Sequence, residues 1–485
     1  MSQTSNILNK FLSISIGSWI AMLIGFVSTP ITTRLLSPDQ FGQASIFLLV
    51  VDVLTAITLL GSDQSFIRFF YEEETSNRKF LLRSSLRISL ATFGLAALLI
   101  LVFYQSFSAF IFSKISLWLV FLLLLYVFLR IVSTFASLVI RMQQKGKIFS
   151  LIQVLNKSLE FLGILFFAYL MGNHYEVIIY AHISFMILVT VIAIGVEYKF
   201  WHFFGGQVAP LKSGTSERLH YGMPLMVTLL MTLAFQSVDR LAIKEWSNYS
   251  ELGLYYAAFK IIAVLNMLQI NFTAFWTPLS YEKFKENPDN TVFFQKMAQT
   301  VIFVMFIIAT GVLLFKEVIV YLLGSEYRDA ASIMPFLVFI PVMYTISEVT
   351  VVGINFYKKT KWHLLIACCV FFINVLGNIF LVPLIGAAGA AISTGISYIA
   401  FFAMRTYFST RLFQVDYKLK RFYVGTLFLV SYALYTTFCE QSMWSFGFGF
   451  LVLLVISWLY NETLMALINK CREFMGSYRK KGGKR

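Results

Sequence analysis

Charge is what this chain has least of. Asp, Glu, Lys and Arg make up 13% of its residues, against ~25% in ordinary soluble domains. A solvated globular surface is excluded over most of its length. Cysteine is also scarce. Cys368, Cys369, Cys439 and Cys471 form no CxxC, so no disulfide framework organises the fold, and the four are read as small apolar residues. No GxxxxGK[ST], HExxH or GxSxG occurs, and His174, His182, His202, His220 and His363 are scattered. A Walker-type ATP site, a metal centre and a hydrolase elbow are therefore not expected, and no cofactor is implied. The first apolar run opens near Phe11 with no small-residue cleavage site after it, and it reads as an uncleaved first span.

Apolar length is what the chain has in abundance. Hydrophobic residues are 58% of it, Phe alone occurs 51 times, and the mean hydropathy is +0.76. Runs of about 20 apolar residues, enough to cross a bilayer as helix, recur from end to end. The chain reads as an all-α polytopic membrane protein. Fourteen spans are expected near 11–33, 43–61, 81–104, 116–140, 148–171, 176–198, 221–243, 252–276, 292–315, 331–356, 363–384, 387–408, 422–439 and 443–464.

The net charge of +15 raises nucleic acid as a partner, and the span map removes the need for one. With the N-terminus inside, thirty of the 39 Lys and Arg fall on the cytoplasmic side, and five outside. That asymmetry sets both termini in the cytoplasm. The basic "YRKKGGKR" is expected against anionic headgroups. The longest loop, about Lys199 to His220, is cytoplasmic. The outer loop Lys316 to Ala330 alternates apolar and charged residues, as a short interfacial helix would.

Two stretches match across the chain. "TPITTRLLSPDQFG" (Thr29 to Gly42) ends span 1 and opens span 2, and "SVDRLAIKEWSNYSELG" (Ser237 to Gly253) does the same for spans 7 and 8. Gly17 precedes Arg34 by 17 residues and Gly222 precedes Arg240 by 18. Six spans separate the copies, which gives a parallel repeat of two six-helix lobes with a cavity expected at the lobe interface. The divisions expected are 1–198, 199–409 and 410–485, the last holding two C-terminal helices and the basic tail.

The same residues carry a family resemblance. "TPITTRLLSPDQFG", "YGMPLM" (Tyr221 to Met226), "DRLAI" (Asp239 to Ile243), "ELGLYYAAFKI" (Glu251 to Ile261) and "LVPLIGAAGAAISTGIS" (Leu381 to Ser397) resemble, in order, motifs of the polysaccharide transporter branch of the multidrug/oligosaccharidyl-lipid/polysaccharide (MOP) exporter superfamily. The last resembles the tight hairpin joining its spans 11 and 12. The resemblance implies a MATE/MOP-like fold. It also implies a bacterial inner-membrane flippase for undecaprenyl-pyrophosphate-linked oligosaccharide, of the kind that serves O-antigen or capsule. Partners implied are membrane lipids, a proton or sodium gradient, and polysaccharide polymerase and chain-length proteins. A lipid II-type flippase, a multidrug exporter and a polytopic polymerase or ligase remain as alternatives. The few candidate residues in the outer loops count against the enzyme.

Charges within spans are the candidate site. A charge at the bilayer centre costs roughly 2.5–3.5 kcal/mol on insertion scales, so each should face protein or water. Arg34 at the rim of span 1, Arg130, Lys157, Arg240 and Lys260 are the candidate cationic cavity. Arginine matches phosphate through its bidentate fork. Asp52, Glu160, Asp239 and Glu348 are ion-coupling carboxylates or charge partners. Lys157 and Glu160 share a helix face, which also fits a local ion pair. Asp239 and Arg240 point about 100° apart and need partners from other helices. Asn266, Gln269, Asn271, Asn355, Asn374 and Asn378 fit either sugar hydroxyls or interhelical hydrogen bonds. Pro30, Pro224, Pro278, Pro335 and Pro341 are expected to bend helices.

Overall fold

The computed structural model describes residues 2–202, 211–359, 361–469 and 472, with side chains from Gly17 onward except at Gln236. The "YRKKGGKR" tail, Cys471 and the middle of the Lys199–His220 loop lie outside the described residues. Among those described, regular structure is helical throughout. Nine helices are long and apolar enough to cross a membrane, and eleven if two bent pairs each count as one span. One of the nine is itself a hairpin of two spans. With the first helix and that at Leu419–Phe438, about fourteen spans result. Two compact units divide the chain: Met1–Leu241 with Asn248–Gly253, and Ala242–Ser247 with Leu254–Arg485.

The first unit contains α1 (Ser2–Leu35), α2 (Pro38–Leu59), α3 (Ser62–Phe69), α4 (Arg78–Val102), α5 (Tyr104–Phe112), α6 (Leu117–Met142), α7 (Gly146–Met171), α8 (Glu176–Val196), α9 (Tyr198–Trp201) and most of α10 (Thr215–Trp246). In lipid, burying apolar surface gives helices little reason to associate, so close packing and hydrogen bonds must do it. At the α1–α7 contact, Gly17 leaves no room for a side chain, since a Cβ would fall 2.3 Å from that of Ser150. One residue on, the Ser18 hydroxyl donates to Gln153 Oε1 at 2.7 Å. Helices α6, α7 and α8 share a core of Ala136, Ile140, Ile152, Val189 and Ala193. Phe66 of α3 meets Phe70 and Phe135 edge-on, at 5.4 and 6.0 Å between ring centroids.

The stretch "TPITTRLLSPDQFG" is a helix stop and restart. Leu35 ends α1, Ser37 caps α2 with its hydroxyl towards the Gln40 amide, and Pro38 takes the first helical position. A first turn starting with proline loses nothing, because that N–H has no helical partner. Gly42 then meets Gly253, its counterpart in the second matched stretch. A Cβ on Gly42 would lie 2.0 Å from the Tyr249 carbonyl oxygen, and one on Gly253 would lie 1.8 Å from that of Pro38. The two matched glycines are needed because two helix starts cross there backbone to backbone.

The second unit holds the end of α10, α11 (Tyr249–Glu286) from Leu254 onward, α12 (Thr291–Leu314), α13 (Lys316–Val320), α14 (Ala330–Leu337), α15 (Phe339–Thr350), α16 (Val352–Phe356), α17 (Lys361–Leu412), α18 (Leu419–Phe438) and α19 (Met443–Leu459). Helix α17 is broken at Ile385 and Gly386, where Gly386 takes φ +56. Its halves fold back on each other, because Gly389 abuts the Leu381 carbonyl and Gly377 the Ser393 side chain. This is the hairpin expected of "LVPLIGAAGAAISTGIS". Phe372, Leu376, Phe380 and Leu384 recur every fourth residue on the exposed side, which gives the lipid an apolar stripe. Phe284, Phe294, Phe356 and Phe413 cluster between helix ends, with Phe284 stacked on Phe356 at 4.1 Å.

Prolines lie inside α1, α10, α11, α14 and α17. The 41° bend of α10 nevertheless falls between Phe235 and Ser237 rather than at Pro224. The loop Lys316–Ala330 is not a free interfacial helix, since Lys316, Val320, Leu323, Tyr327 and Ala330 are buried in protein.

Candidate functional site

Among the described residues, three ion pairs within the apolar helices involve the candidate charges. Arg130 of α6 donates from Nη2 to Asp52 Oδ1 of α2 at 2.8 Å. Neither has a partner at helical spacing in its own span, and each finds it on the other helix. Both side chains stay open, Arg130 at 38% and Asp52 at 46% exposure. The second pair is local to α7, where Lys157 Nζ donates to Glu160 Oε2 at 2.6 Å. Glu160 is buried, accepts from Asn156 Nδ2 at 2.8 Å, and has His182 Nε2 of α8 at 3.9 Å. Lys157 itself is 45% exposed.

The third pair is sealed. Arg405 Nη1 lies 3.0 Å from Glu348 Oε1 and donates to Ser347 Oγ at 2.7 Å. Its guanidinium packs over Phe401 and Tyr344 at 4.8 and 5.5 Å. The Trp276 indole donates to the Glu348 carbonyl at 3.1 Å, which ties α11 to the same place. Sequence reading counted Arg405 with the cytoplasmic segment after span 12. It is instead a buried partner inside the helix, and its signal was the lone Glu348 two elements earlier.

The remaining candidates are placed as follows. Arg34 is exposed at the end of α1, Asp239 is buried, and Arg240 is half-buried in α10. All three engage neighbouring groups. Lys260 is exposed on α11, with its ammonium 5.1 Å from the Tyr256 ring centre. The first unit therefore brings together Asp52 with Arg130 and Lys157 with Glu160, and the second pairs Glu348 with Arg405.

The amides divide. Asn374 Nδ2 donates to Thr394 Oγ1 at 3.0 Å, and Asn378 Nδ2 donates to the Asn374 carbonyl at 2.9 Å. Both are buried inside the α17 hairpin, where they join helices and reach no sugar. Asn355 Oδ1 meets His363 Nε2 at 2.9 Å. Asn271 on α11 is exposed, with Nδ2 donating to the Met267 carbonyl at 2.8 Å.

Polar groups outside the spans also converge. Burial pushes the Lys316 ammonium below its ordinary pKa, against the pull of Glu317. Its Nζ donates to the Thr436 carbonyl near the end of α18, where the helix dipole favours a cation. In the first unit, Glu73 and Arg218 are both buried. Sequence reading missed them because they sit in polar segments between spans. Beside them, α2, α3 and α10 enclose a cavity of about 320 Å³, lined by Ala56, Leu59, Gly61, Leu225 and Leu229 among others.

The family model described as "Polysaccharide biosynthesis protein" matches residues 7–282. No curated protein matches the chain. Among solved structures, the lipid II flippase MurJ in an inward closed conformation aligns with TM-score 0.69 at 16% identity, over 93% of this chain and 99% of that one. An inward-facing multidrug resistance MATE family transporter of the MOP superfamily aligns with TM-score 0.60 at 14% identity, over 83% and 97%. An outward-facing one gives 0.52 at 16%, over 83% and 94%. Identities this low speak to the fold alone, which is MurJ/MATE-like.

Proposed function

Because the chain belongs to the polysaccharide biosynthesis protein family and has a MurJ/MATE-like fold, we propose that it is a flippase of the MOP type that carries undecaprenyl-pyrophosphate-linked oligosaccharide repeat units across the bacterial cytoplasmic membrane, for O-antigen, capsule or a related surface polysaccharide. The observation that carries the reading is Arg130, half-exposed among apolar helices and oriented by Asp52. A charge in a membrane helix is tolerated where it faces protein or water, and a guanidinium this open faces water. Its fork has five N–H donors. Asp52 takes one, and the others suit the paired oxygens of a pyrophosphate. Lys157, also half-exposed, adds a second cation in the same unit.

The task is transport without bond chemistry. Two six-helix lobes alternate access to a wet cavity, whose fixed cations replace the solvation that phosphate and hydroxyls lose. The polyprenyl tail stays in lipid. Asp52 and Glu160 couple the cycle to an ion gradient by changing the partners of Arg130 and Lys157.

Deleting the gene and analysing lipid-linked oligosaccharides tests the reading. Complete repeat units accumulate on the inner leaflet if it holds. An unchanged glycan profile with altered drug sensitivity overturns it in favour of a drug exporter. Arg130→Ala removes a charge-assisted contact and lowers export by about 10- to 100-fold, with membrane insertion intact. Arg130→Lys recovers only part of the loss, because charge returns without the bidentate geometry.

A further inference from the structure

The start of α10 is fastened to the rest of its unit largely by polar contacts, beside one aromatic pair, Tyr221 edge-on to Phe69 of α3 at 6.0 Å between ring centroids. Glu73, in the turn after α3, accepts from both the amide and the hydroxyl of Ser213 at 3.1 Å. Arg218, one turn into α10, donates from Nη2 to Ser84 Oγ of α4 at 2.8 Å and to Thr215 Oγ1 at 3.1 Å. Its carbonyl accepts from Ser65 Oγ of α3 at 2.5 Å. Beside these bonds Gly61, at φ +69, meets Gly222, where a Cβ would lie 2.1 Å from the Gly222 carbonyl oxygen. Four short-range devices thus converge on one helix end.

Two features set this cluster apart from a permanent structural joint. Glu73 and Arg218 are each 2% exposed, yet Glu73 Oε2 and Arg218 Nη1 have no hydrogen-bond partner. Buried polar atoms left unpaired cost free energy, so the closed arrangement is held with part of its potential unspent. Burial pushes the Arg218 guanidinium below its ordinary pKa, and Glu73 opposes that push without touching it. Immediately beyond the cluster, α10 leaves Met223, Leu225, Val227 and Leu229 exposed. Its far wall encloses the cavity of about 320 Å³ with Ala56, Leu59, Gly61, Asp63 and Gln64. Thr228 and Thr232, on the same wall, give their hydroxyls to their own helix at 3.0 Å.

We propose that Glu73, Ser213 and Arg218 form a releasable clasp that holds the first turn of α10 against the α3–α4 turn, and that its release opens the α2–α10 cavity during the transport cycle. A few hydrogen bonds, one glycine–glycine approach and the edge-on contact of Tyr221 with Phe69 are lost together when α10 moves, a small interface to part. The cavity floor, Ala56 and Leu59, is buried while the clasp is closed and becomes reachable once it opens. The clasp rests on the transport reading for its place in a cycle, and its geometry can be tested without any cargo.

The test uses the full chain in a cysteine-free background. Ala56→Cys reports on the cavity floor through its labelling rate with a membrane-impermeant maleimide. Arg218→Met raises that rate about tenfold, the effect of losing one charge-assisted hydrogen bond. Glu73→Cys with Ser213→Cys crosslinks on oxidation, suppresses labelling and blocks export, and reduction restores both. An unchanged rate in folded Arg218→Met, or a crosslinked protein that labels and exports at the parent rate, overturns the clasp. Should Arg218→Met fail to fold, the crosslink decides. A labelling change in a protein that exports no oligosaccharide leaves the clasp standing and removes the cargo.

Discussion

Exposure separates the ion pairs within the spans by what each does. Arg405 and Glu348 are 7% and 11% exposed, and their remaining polar contacts are internal, so the pair serves packing. A buried ion pair is weak evidence of stability, but removing one member leaves an uncompensated charge. Glu348→Ala is therefore expected to destabilise by about 3–5 kcal/mol, read as a lower midpoint in thermal unfolding of the purified protein. Glu348→Leu combined with Arg405→Met restores the midpoint and leaves export near normal. The same apolar double change at Asp52 and Arg130 is expected to have the opposite profile, with a folded protein and no export, because these two side chains are half-exposed and are the proposed ligand contact. Normal export in that double variant would remove Arg130 from the cavity. The contrast also shows how far single residues were legible. The in-span charges other than Arg405 stood out against their apolar background. Partners did not, because helical spacing says which residues share a face and says nothing of how that face is rotated towards another helix.

At the scale of elements, the glycines divide by what surrounds them. A Cβ on Gly42 meets the Tyr249 carbonyl at 2.0 Å, whereas Gly94 and Gly311 have nothing within 4 Å. Alanine in an open helical position is favoured over glycine by roughly 0.5–1 kcal/mol. Gly94→Ala and Gly311→Ala are accordingly neutral or mildly stabilising, and Gly42→Ala and Gly253→Ala are destabilising and lower export. Equal unfolding midpoints for all four would mean the α2–α11 crossing does not need its glycines. The crossing is the structural reason that "TPITTRLLSPDQFG" and "SVDRLAIKEWSNYSELG" look alike. Most elements were readable in advance, since a run of about 20 apolar residues can satisfy its backbone in lipid only as helix. The short helices α3 and α5 were not. They lack the length that makes a span visible, and tertiary contacts such as Phe66 on Phe135 hold them. The break in α17 was legible at Gly386, where φ is positive, but the bend of α10 was not, because no proline marks it.

For the whole molecule, the distribution of charge makes the last prediction. The chain carries +15, and basic residues cluster in alternate connections: Lys145 and Lys147 follow α6, while Gly172 to Tyr175 after α7 has none. Short basic loops stay on the cytoplasmic side. Alkaline phosphatase fused after Gly172 is thus expected to be active and the same enzyme fused after Lys145 inactive. A fluorescent protein that folds only in the cytoplasm gives the reverse pattern. The clasp at Glu73 and Arg218 lies on the Lys145 side of this map, because α3 and the start of α10 follow spans that run inward. On the proposed orientation its release is a cytoplasmic event. Active phosphatase after Lys145 would invert the map, put the clasp outside, and turn the proposed direction of transport around with it.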